Sequence, residues 1–335
     1  MIQYHQHLKL EPNIVIKKRH FIIVISILLL GFIVGTFLDL QINEALFQKD
    51  HWFSLTMASF GVYPCYAGLA FLGGGFLSTT LKRKDLPMYG RIICYFLAGL
   101  AYVMSVYLCA REWPSENGFN NDVYTLPSYL ISAFLFAGVF VGAFFLCKKG
   151  DAKKLWIVLA VMIAIWVAAL LPAGFLIKLI VHRPRYRYAV RGGLVEYKEW
   201  WRMFPNYKDF VSTKEKPIFI EGFEITKEEY KSFPSGHSGT GMIMSMFLPF
   251  AGYFFPKIKG REIWLYYIGV AYGFVMMFSR MLSGAHYLTD TCMGSLFVMI
   301  SFFVFHEIAF AKGWISKDDN AVKETNLEET AQQEK

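Results

Sequence analysis

The chain has 335 residues, 55% of them hydrophobic and 18% aromatic, and a mean hydropathy of +0.36, which is too apolar for an ordinary soluble domain of this length. The net charge of +8 does not indicate a nucleic-acid partner, because the basic residues are divided among loops between hydrophobic segments and form no aromatic-interleaved basic domain. Five cysteines (Cys65, Cys94, Cys109, Cys147, Cys292) lie in or at the ends of apolar runs, with no C-x-x-C and no histidine at metal-ligand spacing; they read as small packing residues.

Apolar runs recur near 20–41, 55–80, 89–110, 128–147, 155–178, 238–255, 263–281 and 290–311. About 20 residues at a 1.5 Å rise cross a hydrocarbon core, so each run is a candidate span, and the expected fold is an all-α polytopic transmembrane bundle of about eight spans. The first run is too long, and too lightly followed by small residues, for a cleaved signal peptide and is expected to be retained. The second, glycine-rich and carrying Pro64, is the weakest helix. Lys9, Lys17, Lys18 and Arg19 precede span one. Lys82, Arg83 and Lys84 follow span two, Lys148, Lys149, Lys153 and Lys154 follow span four, and Lys257, Lys259 and Arg261 follow span six. The intervening segments 42–54 and 111–127 carry only Lys49 and Arg111, so the positive-inside bias puts both termini in the cytoplasm.

The chain divides at about residue 150. Region 1–150 holds four spans poor in intramembrane ionisable residues; 151–311 concentrates them; 312–335 is a polar, acidic tail expected to be a solvated cytoplasmic extension without a catalytic role. No repeat of fixed period is seen. Between spans five and six a polar, aromatic-rich stretch, 182–233, is expected on the extracytoplasmic face.

Three segments of the second half stand out, because ionisable groups at a membrane-helix end are costly unless they face a polar cavity or a partner. In Lys178-Leu-Ile-Val-His-Arg-Pro-Arg185, the two end cations are seven residues apart, which on a continuous helix sets them on one face able to grip an anion. Pro184 offers the other reading, Arg185 on an extended segment past the helix end, and basic residues here also suit snorkelling to the interface. In Phe233-Pro-Ser-Gly-His-Ser-Gly-Thr-Gly241, a tight turn opens span six with free backbone N–H groups; the Ser235 hydroxyl adds a donor and Gly236 admits an oxyanion close to the backbone. In the segment Ser279 to Asp290, His286 and Asp290 stand at i and i+4. A carboxylate there fixes the imidazole tautomer and stabilises the cation formed on attack; alternatively Asp290 only caps the helix start.

All three segments fall on the side of the membrane that the charge bias marks as outer. Together they supply a cradle for phosphate oxygens and two histidines with an aspartate for nucleophile, acid and orienter. They strongly resemble the signature of the type 2 phosphatidic acid phosphatase (PAP2) superfamily: K-x6-R-P, P-S-G-H and S-R-x5-H-x3-D. The second and third match throughout; in the first, Tyr186 stands where the family has proline. The resemblance implies that His286 is the nucleophile, Asp290 its orienter and His237 the general acid, which next activates water against the phosphohistidine. It assigns the phosphoryl oxygens to Lys178, Arg185, Ser235, Gly236 and Arg280, and it implies no metal and no cofactor. Family cores commonly have six spans, so eight imply two additional N-terminal ones.

The expected activity is thus an integral plasma-membrane hydrolase of an amphipathic lipid phosphate or pyrophosphate, such as phosphatidate, phosphatidylglycerophosphate or undecaprenyl pyrophosphate. Its site would face outwards, and its partners would be that substrate and membrane lipids, not nucleic acid. The alternatives are a phosphotransferase using the same phosphohistidine and a non-catalytic phospholipid-binding transporter. Outside the signature, His182 reads as an interfacial histidine, and Arg187, Arg191, Trp200 and Trp201 as either a headgroup lid or an ordered outer loop.

Overall fold

A computed structural model of the chain describes residues 16–112, 122–172, 176–202, 206–258 and 260–314; Lys9, Lys259 and the tail after Trp314 lie outside the described residues. It is an all-α bundle. Among the described residues seven helical segments are long and apolar enough to cross a membrane. They are α1 (Lys18–Leu46), the pair α2 (Trp52–Phe60) and α3 (Tyr63–Lys82), α4 (Met88–Ala110), α5 (Asp122–Cys147), α6 (Ala152–Leu171), α10 (Glu262–Leu282) and α11 (Leu288–Ala311). The run expected as the sixth span, 238–255, is helical as two stacked pieces, α8 (Gly236–Met242) and α9 (Met244–Phe254), neither long enough alone. The helix is interrupted at Ile243, and Pro249 inside α9 lacks the N–H that would extend the ladder. The second span is likewise broken at Gly61–Val62, and Pro64 falls in the first turn of α3, where a missing N–H costs nothing.

Large aliphatic and aromatic side chains point outwards along much of α1, α4 and α5, among them Ile22, Leu30, Phe37, Ile92, Phe96 and Phe134. That suits a surface solvated by lipid, where association rests on packing and polar contacts. The inward stripe of α1 is Phe21, Val24, Leu28, Gly35, Asp39 and Asn43, at helical spacing. Gly31 and Gly35 stand on this side in a G-x-x-x-G: a β-carbon on the first would lie 2.9 Å from Cys292 Sγ, and on the second 2.9 Å from the Thr289 nitrogen. Their smallness lets α1 lie directly on the start of α11.

Helix α1 packs on α11 and α10, and α8 fits between α10 and α11, while α4 and α5 pack on α3 and on each other. All five cysteines are buried and free. The stretch 182–233 is ordered by a small core of its own, Ala189, Ile225 and Tyr230 with their neighbours. Within it a two-stranded hairpin, β1 (Phe219–Ile220) and β2 (Phe223–Glu224), turns through Glu221 and Gly222, both at positive φ. Trp200 fastens this stretch to α1: its indole donates to Thr36 Oγ1 at 3.2 Å, and its ring stacks on Phe233.

Candidate active site

The three motif segments meet at one end of the bundle. Helix α6 ends at Leu171, and Lys178 opens a separate four-residue helix, α7 (Lys178–Val181), which stops at His182 in the left-handed region. Lys178 and Arg185 therefore do not share the face of a continuous helix. Arg185 lies on extended backbone beyond it, held by its N–H donating to the Glu229 carbonyl at 2.7 Å. The guanidinium is buried; its Nη1 is 3.9 Å from Glu229 Oε1, and its Nε has no protein partner. His182 stacks on Tyr207 at 4.1 Å between centroids.

Ser235 is the N-cap of α8. Its Oγ accepts from the Ser238 N–H at 3.3 Å and the Ser238 hydroxyl at 2.9 Å, leaving its own proton for an outside acceptor. The Ser235 N–H donates to the Asp290 carbonyl at 2.9 Å, which locks the start of α8 to that of α11. Gly294 makes the approach possible, since a β-carbon there would meet the Ser235 carbonyl oxygen at 2.1 Å. Gly236 and His237 follow in the first turn of α8, half-buried. His237 Nε2 lies 3.3 Å from the Ala58 carbonyl and 3.5 Å from Glu112 Oε2.

His286 sits in the short link between α10 and α11, 1% exposed. The Arg280 carbonyl, at the end of α10, accepts from the backbone N–H groups of Ala285 and His286, and the Arg280 side chain is fully buried. The His286 Nδ1 is 2.6 Å from the Ser232 carbonyl and 3.8 Å from Asp290 Oδ2. A carbonyl only accepts, so Nδ1 carries the proton and Nε2 is left with a lone pair. Asp290 in turn accepts from the Ser232 hydroxyl, from the Tyr287 N–H at 2.9 Å and from Arg183 Nη1 at 2.5 Å.

Burial pushes the His286 imidazole down to about 3, the charges of Arg185 and Lys178 adding to the effect and Asp290 opposing it, so it is neutral at physiological pH. Burial, then the charge of Arg185, pushes Lys178 down to about 7, with Glu228 and Glu112 opposing. These couplings set Lys178, Arg185 and His286 in one electrostatic neighbourhood.

Residues 154–314 match the PAP2 superfamily. The similarity is to that superfamily over this part of the chain. The match takes in every motif segment named above, and no curated protein and no solved structure matches the chain. PAP2 proteins are in general phosphatases and phosphotransferases, and the apolar helices of this chain are those of a membrane protein.

Where the PAP2 signature has proline, Tyr186 packs its ring edge-on to Phe47 and opens a π-helical turn, Tyr186–Val190. A proline would force the residue before it into extended backbone, and Arg185 holds that conformation without one, at φ −76° and ψ 151°. The tether to the Glu229 carbonyl holds Arg185 in this conformation. Glu229 is itself buried and takes Arg187 through both carboxylate oxygens, the shorter contact being 2.7 Å.

Four contributors were not legible as site residues in the sequence. Ser232 supplies the acceptor for His286 Nδ1; Glu229 holds Arg185; Glu112, just past the end of α4, stands beside His237; and Asp39, on α1, faces Arg183. Arg183 does not snorkel. It is fully buried, and its ring of partners is described below.

Proposed function

We propose that this PAP2 protein is an integral membrane phosphatase that hydrolyses a lipid phosphate or pyrophosphate through a phosphohistidine on His286, without a metal. The observation that carries the reading is the bond from His286 Nδ1 to the Ser232 carbonyl, because it fixes the one tautomer in which Nε2 is a nucleophile. In the first step the Nε2 lone pair forms an N–P bond to the terminal phosphorus while its bond to the leaving oxygen, the lipid oxygen of a monophosphate or the bridging oxygen of a pyrophosphate, breaks. His237 gives its proton to that leaving oxygen. Lys178, Arg185, Arg280, the Ser235 hydroxyl and the Gly236 N–H hold the phosphoryl oxygens as charge spreads over them. In the second step water attacks phosphorus, the N–P bond breaks and returns its electron pair to Nε2, and the water proton goes to His237. The products are the lipid alcohol, or the lipid monophosphate from a pyrophosphate, and inorganic phosphate.

The charge bias of the loops supports a site on the extracytoplasmic side with both termini inside, in the cytoplasmic membrane. An amphipathic lipid phosphate fits a buried catalytic histidine placed at the membrane surface between helices. A panel of lipid mono- and diphosphates, with glucose 6-phosphate as a soluble control and EDTA as a second arm, tests the reading. Phosphate release is expected from at least one lipid, unaffected by chelation and abolished by His286→Ala; release that survives His286→Ala overturns it. Appearance of the label on a supplied lipid or sugar acceptor instead of in free phosphate would make the protein a transferase.

A further inference from the structure

Arg183 is a guanidinium buried at the edge of a membrane bundle, and all five of its N–H donors are taken. Nε donates to the Lys198 carbonyl at 3.1 Å, Nη1 to Thr289 Oγ1 at 2.8 Å and Asp290 Oδ1 at 2.5 Å, and Nη2 to Asp39 Oδ2 at 2.9 Å and the Tyr197 hydroxyl at 3.2 Å. Tyr287 covers it, its ring 4.1 Å from the guanidinium carbon. Asp39 faces three donors: the Thr289 N–H at 3.0 Å on Oδ1, and Arg183 and the Thr289 hydroxyl on Oδ2. Such a set is acceptor-only, so Asp39 is a carboxylate. All three side chains are fully buried.

Two carboxylates thus share one guanidinium, and the trio carries one net negative charge. This matters for Asp290. A carboxylate bonded to an arginine of its own is largely neutralised and does little for a cation forming next to it. We propose that Asp39, contributed by α1 from outside the PAP2 match, is a positioning residue for the reaction: it takes one arm of Arg183, so that Asp290 keeps a negative charge toward His286 as the phosphohistidine cation forms. The inference rests on the phosphohistidine reading above. It also gives the first span a role in the chemistry, with Gly31 and Gly35 bringing α1 close enough for Asp39 to reach.

The test uses full-length protein in detergent or nanodiscs, with the best lipid phosphate of the panel. Asp39→Asn keeps the shape and removes the charge. The expected result is kcat lower by about tenfold, with KM within about twofold of wild type and fewer phosphoenzyme molecules trapped on rapid quench. Adding Arg183→Gln to Asp39→Asn restores the net charge of the trio, and the double variant is expected to be more active than Asp39→Asn alone. A purely structural Asp39 gives the opposite order, the double variant being no better than the worse single one, and that result overturns the proposal. Should Asp39→Asn not fold, Asp39→Glu and Asp39→Gln share the same added length and differ in charge. About tenfold higher kcat for Asp39→Glu is expected, and equal kcat overturns the proposal. Wild-type protein that turns over no lipid phosphate sinks the phosphatase reading and this inference with it; active wild type with an unaltered Asp39→Asn sinks the inference alone.

Discussion

The Nδ1 of His286 is 2.6 Å from the backbone carbonyl of Ser232, while the Asp290 carboxylate stands at 3.8 Å. The tautomer is therefore set by the main chain, and Asp290 acts as a nearby charge and as the anchor of Arg183, Ser232 and Tyr287. Where a carboxylate alone sets the tautomer, Asp→Asn lowers kcat by about 10⁴. Here Asp290→Asn is expected to lower kcat by about 10²-fold, or about 2.7 kcal/mol, together with a lower Tm from the amide turned against Arg183. Steady-state kinetics on protein whose fold is checked by circular dichroism measures it; a 10⁴-fold loss would mean that the carboxylate, not Ser232, selects the tautomer.

Lys178 is expected to give the proposed reaction an alkaline limb. Its ammonium, pushed down to about 7, is the charged form that attracts a phosphate, and that form is lost as pH rises through this value. In free enzyme kcat/KM should fall by up to tenfold per unit above about pH 7. Lys178→Arg keeps the cation throughout, so its profile should lose this limb, while Lys178→Met should be low at every pH. An unchanged limb in Lys178→Arg assigns the titration to another group.

Glu112 is expected to serve His237. Its carboxylate oxygen, 3.5 Å from Nε2, is placed to orient the imidazole for proton transfer to the leaving group. Glu112→Gln should cost about 10-fold in kcat with a lipid alkoxide leaving group, and much less with a nitrophenolate leaving group that departs without a proton. Equal losses on both substrates would place Glu112 in binding or folding instead.

Gly294 tests the close contact on which the site is built. Alanine there puts a β-carbon 2.1 Å from the Ser235 carbonyl, so α8 or α11 must shift. Overpacking of this kind costs about 1–3 kcal/mol, read as a lower Tm, and moving the phosphate loop should lower kcat by at least about tenfold. Gly99→Ala, on α4 with no atom within 4 Å of the added carbon, serves as the control and should leave both near wild type.

Much of this was legible in the residues, and the omissions have physical causes. Length and hydropathy locate helices because each span must satisfy its own backbone within the membrane. They say little of which helix lies on which, so Asp39 inside the first run and Glu112 at the end of the third carried no visible partner. A signal did exist: an aspartate one turn after Gly31-x-x-x-Gly35 is an intramembrane charge on a close-packing face. His237, His286 and Asp290 could be singled out as candidates because each belongs to a short motif whose residues are close in sequence. Of the two readings of Lys178 and Arg185, the one that Pro184 suggested holds: the left-handed His182 ends α7, and Arg185 lies on extended backbone beyond it. Ser232 was invisible because its contact with His286 is through a backbone carbonyl, which any residue has.

The most direct test of the central claim is rapid quench of the protein with a ³²P-labelled lipid phosphate, followed by mapping of the label and assignment of the phosphorylated nitrogen by NMR. The expected product is an acid-labile, base-stable phosphohistidine at His286, linked through Nε2. Label on Nδ1, label on another residue, or turnover with no phosphoenzyme at all would contradict it.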